Sequence, residues 1–192
     1  MILIIDNYDS FTYNLYHYVL NCGQVCQVIE YHHIDLILST IMSEDCTGVI
    51  ISPGPHHPDD YPFHSNYIEL AIAKNIPVLG ICLGMQYLAI YFEQEVILAN
   101  KPIHGKSDRI MIFNHETIYD SLPKFINVGR YHSLQVKLNS QKVLISTAIS
   151  MSDDAIMSIK HLSLNLIGIQ YHPESILSPL GQQIISNWLK LV

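Results

Sequence analysis

The chain has 192 residues, of which 49% are hydrophobic and only 14% charged, and its formal charge is −7. That length fits one domain, and the apolar excess argues for a sheet buried on both faces and against disorder. Ten basic against seventeen acidic residues, with no run of Lys or Arg, argue against nucleic acid or an anionic membrane as partner.

The first residues carry no basic leader and turn polar at Asp6, which reads as a buried strand and not as a signal peptide. No apolar run approaches the roughly 18 residues of a membrane span. A soluble, cytoplasmic protein is expected, with its four cysteines, Cys22, Cys26, Cys46 and Cys82, as reduced thiols. Cys22 and Cys26 have the spacing of a metal pair. Gly23 between them reads as a helix end and Cys26 as the start of the next strand, and zinc spacing normally needs a second matched pair. No bound metal is expected.

Residues 2–5 are a continuous apolar run ended by Asp6 and Asn7, a strand opening into a loop. Ser10 or Thr12 is placed to cap the next helix, whose Leu15, Tyr16, Val19 and Leu20 recur at helical spacing, and Gly23 closes it. A strand at 25–29 follows, then a helix over 35–42 with Leu36, Ile37, Thr40 and Ile41 on one side. Residues 48–51 read as a third strand, closed by Ser52-Pro53-Gly54-Pro55. A helix at 67–74 and a strand at 76–80 continue the alternation. This pattern predicts an α/β fold with a mainly parallel central sheet and helices on both faces. After residue 95 short β-like segments, at 95–98, 110–113, 125–128, 143–147 and 155–159, predict added antiparallel strands. A last strand at 166–171 and an amphipathic helix at 181–191 close the chain. No linker or repeat interrupts residues 1–192, so a single domain is expected.

Gly80-Ile81-Cys82-Leu83-Gly84 has the form Gly-x-nucleophile-x-Gly, between a strand and a helix predicted over 83–91. In that context it predicts a nucleophile elbow, with small neighbours where backbones crowd. The helix N-terminus beside the sulfur favours thiolate. Alone, the segment reads more readily as a buried cysteine beside two packing glycines. Near the other end, His172 lies just past the last strand with Glu174 two residues on. Sites in α/β sheets gather at the carboxyl ends of strands, which brings both segments to one rim. An imidazole suits proton removal from a thiol and delivery to a leaving amine, and a carboxylate fixes its tautomer. The chain holds eleven histidines, so His172 draws its meaning from Cys82. The Ser52–Pro55 turn can aim a backbone N–H at a developing oxyanion, with the N–H of Leu83 as second donor.

These segments form one ordered series. It comprises Asp6-Asn7-Tyr8-Asp9-Ser10-Phe11-Thr12-Tyr13-Asn14-Leu15, the S-P-G-P turn, G-I-C-L-G-M-Q, Arg130-Tyr131-His132-Ser133-Leu134 and Q-Y-H-P-E-S-I-L. The series spans residues 6–177 and resembles the class I (triad) glutamine amidotransferases. The first motif together with R-Y-H-S-L is similar to the small subunits of anthranilate synthase and aminodeoxychorismate synthase. The resemblance implies one flavodoxin-like amidotransferase domain over residues 1–192. It implies that Cys82 attacks the glutamine side-chain amide, that His172 is the acid–base and that Glu174 orients it. Gln86 would contact the glutamine, the backbone at Ser133 and Leu134 would hold its α-groups, and Gly54, Pro55 and His56 would form the loop over the reacting amide. It further implies a larger chorismate-binding subunit that takes the ammonia through a channel, toward anthranilate (tryptophan) or aminodeoxychorismate (folate). No cofactor is expected in this chain.

Two positions depart from the family pattern. His56 stands where a small residue, commonly glycine, is usual, and a histidine takes φ > 0 less easily. Met85 stands where the subgroup has histidine and reads as packing. His104-Gly105-Lys106 also matches a family segment and reads either as partner surface or as a plain loop. Asp6 to Ser10 read as capping and loop hydrogen bonds in preference to metal ligands. Two rival readings are a stand-alone Cys-His amide hydrolase, which leaves R-Y-H-S-L without a role, and a silent stabilising subunit, which leaves Cys82, His172 and Glu174 without one.

Overall fold

A computed structural model describes residues 1–140 and 143–192. In chain order its elements begin with β1 (Ile2–Asp6), α1 (Thr12–Asn21), β2 (Cys26–Glu30), α2 (Ile34–Met42), β3 (Gly48–Ile51), α3 (His64–Ala73), β4 (Val78–Ile81) and α4 (Leu83–Tyr91). Then come β5 (Glu95–Leu98), β6 (Lys106–Ile112), β7 (Phe125–Arg130), β8 (Leu134–Lys137), β9 (Leu144–Ser150), β10 (Ile156–His161), β11 (Leu166–Ile169) and α5 (Gly181–Trp188).

The opening apolar run explains the layering. Side chains alternate along a strand, so Ile2 and Ile4 enter one core and Leu3 and Ile5 the other, all fully buried. The first core receives Leu15 and Val19 of α1 and Ile184, Ile185 and Trp188 of α5. The second receives Ile37 and Ile41 of α2, Tyr67 and Ile68 of α3, and Met85 and Leu88 of α4. Met85 is wholly buried, in keeping with a packing role.

The main sheet runs β2-β1-β3-β4-β11-β10-β9-β6-β7. Its first five strands are parallel and the remainder antiparallel. Strand β4 lies between β3 and β11, with Ile51 opposite Gly80 and Ile81 opposite Ile169. The carboxyl ends of these three strands therefore share one rim.

Several details differ from the sequence expectations. Residues 95–98 do not join the main sheet but form a separate antiparallel ribbon with β8, a strand not expected at all. Neither Ser10 nor Thr12 caps α1. Asp9 Oδ1 accepts from the Phe11 N–H (2.8 Å), while Thr12 Oγ1 donates to Asp6 Oδ1 (2.8 Å). The loop reading of these carboxylates holds, with different donors. Leu20 and Leu36 are 41% and 49% exposed, so each stripe is narrower than its spacing implied. Among the described residues no helix is long and apolar enough to cross a membrane.

Candidate active site

Cys82 occupies the turn between β4 and α4 at φ 51°, ψ −101°, a conformation an L-residue adopts only under constraint. The constraint is crowding. A Cβ on Gly80 would stand 2.4 Å from the Gly84 carbonyl, and one on Gly84 would stand 2.4 Å from the Ile51 carbonyl oxygen. Glycine at both positions lets three backbones close on the turn and hold the thiol at the rim, 7% exposed. The elbow expected from Gly-x-Cys-x-Gly is present.

His172 follows β11, the neighbour of β4. Its backbone is pinned by a hydrogen bond from its N–H to the Gly129 carbonyl (3.0 Å), and its own carbonyl accepts from Ser178 Oγ (2.6 Å). Ring Nδ1 bonds Glu174 Oε1 at 2.6 Å, with both side chains almost wholly buried. Burial disfavours imidazolium, but the negative charges of Cys82 and Glu174, with the Glu174 hydrogen bond, outweigh it and raise the His172 pKa well above its ordinary value. The opposite nitrogen, Nε2, closes no hydrogen bond among the described residues. Cys82 therefore acts on the ring without a formed hydrogen bond, a common state of catalytic pairs before substrate is positioned. Tyr131 packs edge-on against the imidazole, centroids 4.9 Å apart.

On one side of the sulfur lies a cavity of about 300 Å³ whose lining includes Gly54, Pro55, His56, Leu83, Gln86, Ser133 and Leu134. Every residue proposed from sequence to meet the ligand is there. The ribbon supplies part of this wall, because the Ala99 N–H bonds the Ser133 carbonyl (2.8 Å). Since prolines at 53 and 55 lack N–H groups, Gly54 and His56 hold the loop's available donors; with the Leu83 N–H, none is used by another backbone group. His56 stands at φ 68°, the left-handed region where glycine costs nothing. The loop is held from behind. Asn7 donates to the Ser52 carbonyl from Nδ2 (2.9 Å), and its Oδ1 accepts from His64 Nε2 (2.7 Å). Burial pushes His64 down to about 3 and keeps it neutral. Tyr61 OH donates to the Pro55 carbonyl (2.9 Å).

The R-Y-H-S-L segment has an unforeseen support. Arg130 is fully buried, bonded through Nη1 and Nη2 to Asp153 (3.0 and 2.9 Å) and through Nη1 to Asp108 (2.5 Å). Its Nε–H donates to His132 Nε2 (3.0 Å), so that ring must carry its proton on Nδ1, which bonds the Leu134 carbonyl (2.8 Å). Burial and the adjacent guanidinium lower His132 to about 4, fixing it neutral. Burial alone would raise Asp153, but Arg130 and Ser150 outweigh it and hold it at about 2. A carboxyl depressed in the folded state stabilises the fold above its unfolded pKa and ceases to as pH falls through the folded value. Asp153→Asn should therefore cost roughly 2 kcal/mol at neutral pH, a difference shrinking below about pH 4. Urea unfolding of both proteins at neutral and acid pH measures it. An equal cost at both pH values refutes the assignment.

Among the described residues no group of three possible metal ligands includes a cysteine. Cys26 is buried, its sulfur bonding the Tyr16 carbonyl (3.7 Å), and burial pushes it up to about 11. Two groups do bring possible ligand atoms within 4.8 Å of one another: Glu30, His32 and His33 at the surface, and Asp9 with His172 and Glu174. In the first, the Tyr8 hydroxyl already bonds Glu30 and His32; in the second, His172 and Glu174 already bond each other. With three ligands each and partners in place, neither forms a closed metal site. A second cavity, of about 490 Å³, also reaches the sulfur and shares Gly54, Pro55 and Tyr131 with the first; there His104 and His172 join Tyr8 and Phe11.

Comparison with known proteins agrees with this geometry. The family model described as glutamine amidotransferase class-I matches residues 3–192. Aminodeoxychorismate synthase component 2 of Escherichia coli is 39% identical over 98% of this chain and 99% of its own length. Anthranilate synthase component 2 of Azospirillum brasilense is 36% identical over 98% of this chain and 95% of its own. Among solved structures, a glutamine amidotransferase of Thermotoga maritima superposes with a TM-score of 0.75 at 14% identity. That superposition covers 99% of this chain and 94% of the other, and it speaks for the fold alone. From the elbow at Cys82 to the His172–Glu174 pair, the chain belongs to the class I glutamine amidotransferases.

Proposed function

We propose that this chain hydrolyses the side-chain amide of L-glutamine and supplies the ammonia to a larger, chorismate-binding synthase subunit. The observation that carries the reading is the placement of Cys82, which faces a cavity walled by Gln86, Ser133 and Leu134 and interacts with the buried His172–Glu174 pair.

The Cys82 sulfur attacks the amide carbon, and the charge moves onto oxygen, where the N–H groups of Leu83 and the 53–56 loop meet it. His172 gives its proton to the nitrogen, the C–N bond breaks, and ammonia leaves behind a glutamyl thioester. Water then attacks that thioester while His172 takes its proton, and glutamate departs as the thiolate is restored. Glu174 holds the imidazolium that forms each time. Ammonia protonated in solution is no nucleophile, so a sheltered route to the partner suits the chemistry. The second cavity, which meets Cys82 and His172 and adjoins the glutamine pocket, supports such an exit beside His104.

Relatives bear both component-2 names, and the product is accordingly anthranilate or aminodeoxychorismate. The reading places the chain in the cytoplasm with no cofactor of its own and no nucleic-acid or membrane partner. Its test is glutamate release by the purified chain, alone and with the chorismate-binding subunit. Release that is slow alone and accelerated by the partner supports it, and the product formed from chorismate then names the pathway. Full activity without a partner favours a stand-alone amide hydrolase, and none under either condition a silent subunit.

His56 gives a reason for slow basal turnover. Holding a side chain at φ 68° costs roughly 1–2 kcal/mol relative to ordinary backbone, so the free loop spends time out of line until docking orders it. His56→Gly should raise basal glutamate release severalfold. An unchanged or lower rate disproves the loop argument.

A further inference from the structure

Gln170 is wholly buried between β11 and His172, and neither the Cys-His-Glu triad nor the glutamine contacts give it a task. Its side chain lies against the sulfur, with Nε2 3.5 Å from Cys82 Sγ. Which end of an amide faces a neighbour is decided by the neighbour's own bonding, and here the chain of partners leaves one solution. The Leu134 carbonyl can only accept, so Gln86 presents its Nε2 to it (3.4 Å). The same NH₂ group donates to Gln170 Oε1 (3.3 Å). With its oxygen so engaged, Gln170 must turn N–H toward Cys82. The carbonyl that begins this sequence is also the acceptor of His132 Nδ1–H, so it is held by the Arg130 cluster.

We propose that Gln170 is a catalytic residue whose amide N–H stabilises the Cys82 thiolate, and that Gln86 orients it for this. The proposal rests on the reading of Cys82 as nucleophile. A thiolate 7% exposed has little water around it and needs fixed donors. The first turn of α4 supplies backbone N–H groups on one side, and Gln170 supplies a side-chain donor from the adjacent strand end. A hydrogen bond to a charged acceptor stabilises that form by about tenfold or more in its equilibrium with the neutral form. Glutamine recognition and nucleophile charge then share one pair of amides, because Gln86 lines the substrate cavity while holding Gln170 in place.

The experiment is alkylation of Cys82 by iodoacetamide across a pH series, followed on the Cys82 peptide by mass spectrometry, with glutamine hydrolysis measured in parallel. The titratable groups around the sulfur are His172, with Glu174 and Asp9 behind it, His56 and His132 in the glutamine cavity, and His104, Tyr8 and Tyr131 about the second; all stay in every variant. Gln170→Met keeps the length and apolar fit but removes the donor. It should slow alkylation about tenfold at neutral pH, leave it at the wild-type rate in strong alkali, and lower kcat about tenfold with KM for glutamine unchanged. A merely structural disturbance changes alkylation at every pH alike. A profile that overlays the wild type, or a loss equal at all pH values, overturns the proposal. Gln86→Met leaves Gln170 in place without its anchor and should shift the profile the same way, which serves if the first variant does not fold; an unshifted profile there also overturns it. Cys82→Ala is the control for the underlying reading. If it still hydrolyses glutamine, the nucleophile is elsewhere, a failure distinct from an unmoved alkylation profile in a protein whose Cys82 is essential.

Discussion

Cys82→Ala should abolish glutamine-dependent synthesis by the assembled complex, by about 10⁴-fold or more, and leave ammonia-dependent synthesis intact. On the proposed reading the sulfur is needed only to form the thioester, and the synthase chemistry belongs to another polypeptide. The substitution removes one atom at a position already held at φ 51° by the approach of Gly80, Gly84 and Ile51, so it leaves the turn and the docking surface in place. No other cysteine lines either cavity beside the sulfur. What remains are oxyanion donors without a nucleophile. The measurement pairs two rates for wild type and variant, one with glutamine and one with ammonium salt in alkali. Retained glutamine-dependent synthesis assigns the attack to another residue. Loss of both rates in an intact complex means that the chain does more than deliver ammonia.

Glu174→Gln should lower kcat for glutamine hydrolysis by about 10²–10⁴-fold with little change in KM. The carboxylate sits 2.6 Å from His172 Nδ1, its side chain fully buried, and does not touch the glutamine cavity. Its charge helps raise the His172 pKa against the penalty of burial. Replacing it with an uncharged amide lets the imidazole lose its proton at lower pH. The sign follows directly: a raised histidine is charged below its folded pKa, so removing the cause of the rise moves the loss of imidazolium downward in pH. The pH profile of kcat should then shift along with its height. A variant within about threefold of wild type, no more than a weak neutral hydrogen bond contributes, reduces Glu174 to a packing residue.

How far these features were legible in the sequence follows from the range of the interactions that make them. Residues 48–51 and 83–91 fold as β3 and α4 at the bounds expected, because local apolar runs and glycine punctuation determine them. The elbow was legible for the same reason, while His172 and Glu174 were read only through their pairing with Cys82 and the motif series. His56 was singled out for its difficulty with positive φ, and φ is positive there. Strand β8 was not legible, because Leu-Gln-Val-Lys is a four-residue segment whose pairing with β5 lies far back in the chain. Neither Ser10 nor Thr12 caps α1, whose N-cap position falls to Phe11 with no side-chain cap, and Asp9 instead closes the loop before it, a choice among near equals that local chemistry does not rank. Gln170 contacts a sulfur 88 residues away and His64 an amide 57 residues away, distances at which no spacing rule operates. The buried Arg130 looked like part of a motif and proved to be the hub of Asp108, Asp153 and His132.

The pairing of β4 with β11, Ile81 beside Ile169, has a consequence for the growing chain. During synthesis the thiol emerges long before its base. At about 5–20 residues per second, the 90 residues from Cys82 to His172 take several seconds to appear. In that interval β4 lacks one of its two neighbours, and the cysteine has no imidazole to ionise it. On the proposed reading a nascent chain releases no ammonia with no acceptor nearby, and its reactivity switches on only when the last parallel strand slides into the gap. Supplied as two polypeptides divided in the stretch between β8 and β9, the protein should behave as a split enzyme, silent in either half and active on their reunion.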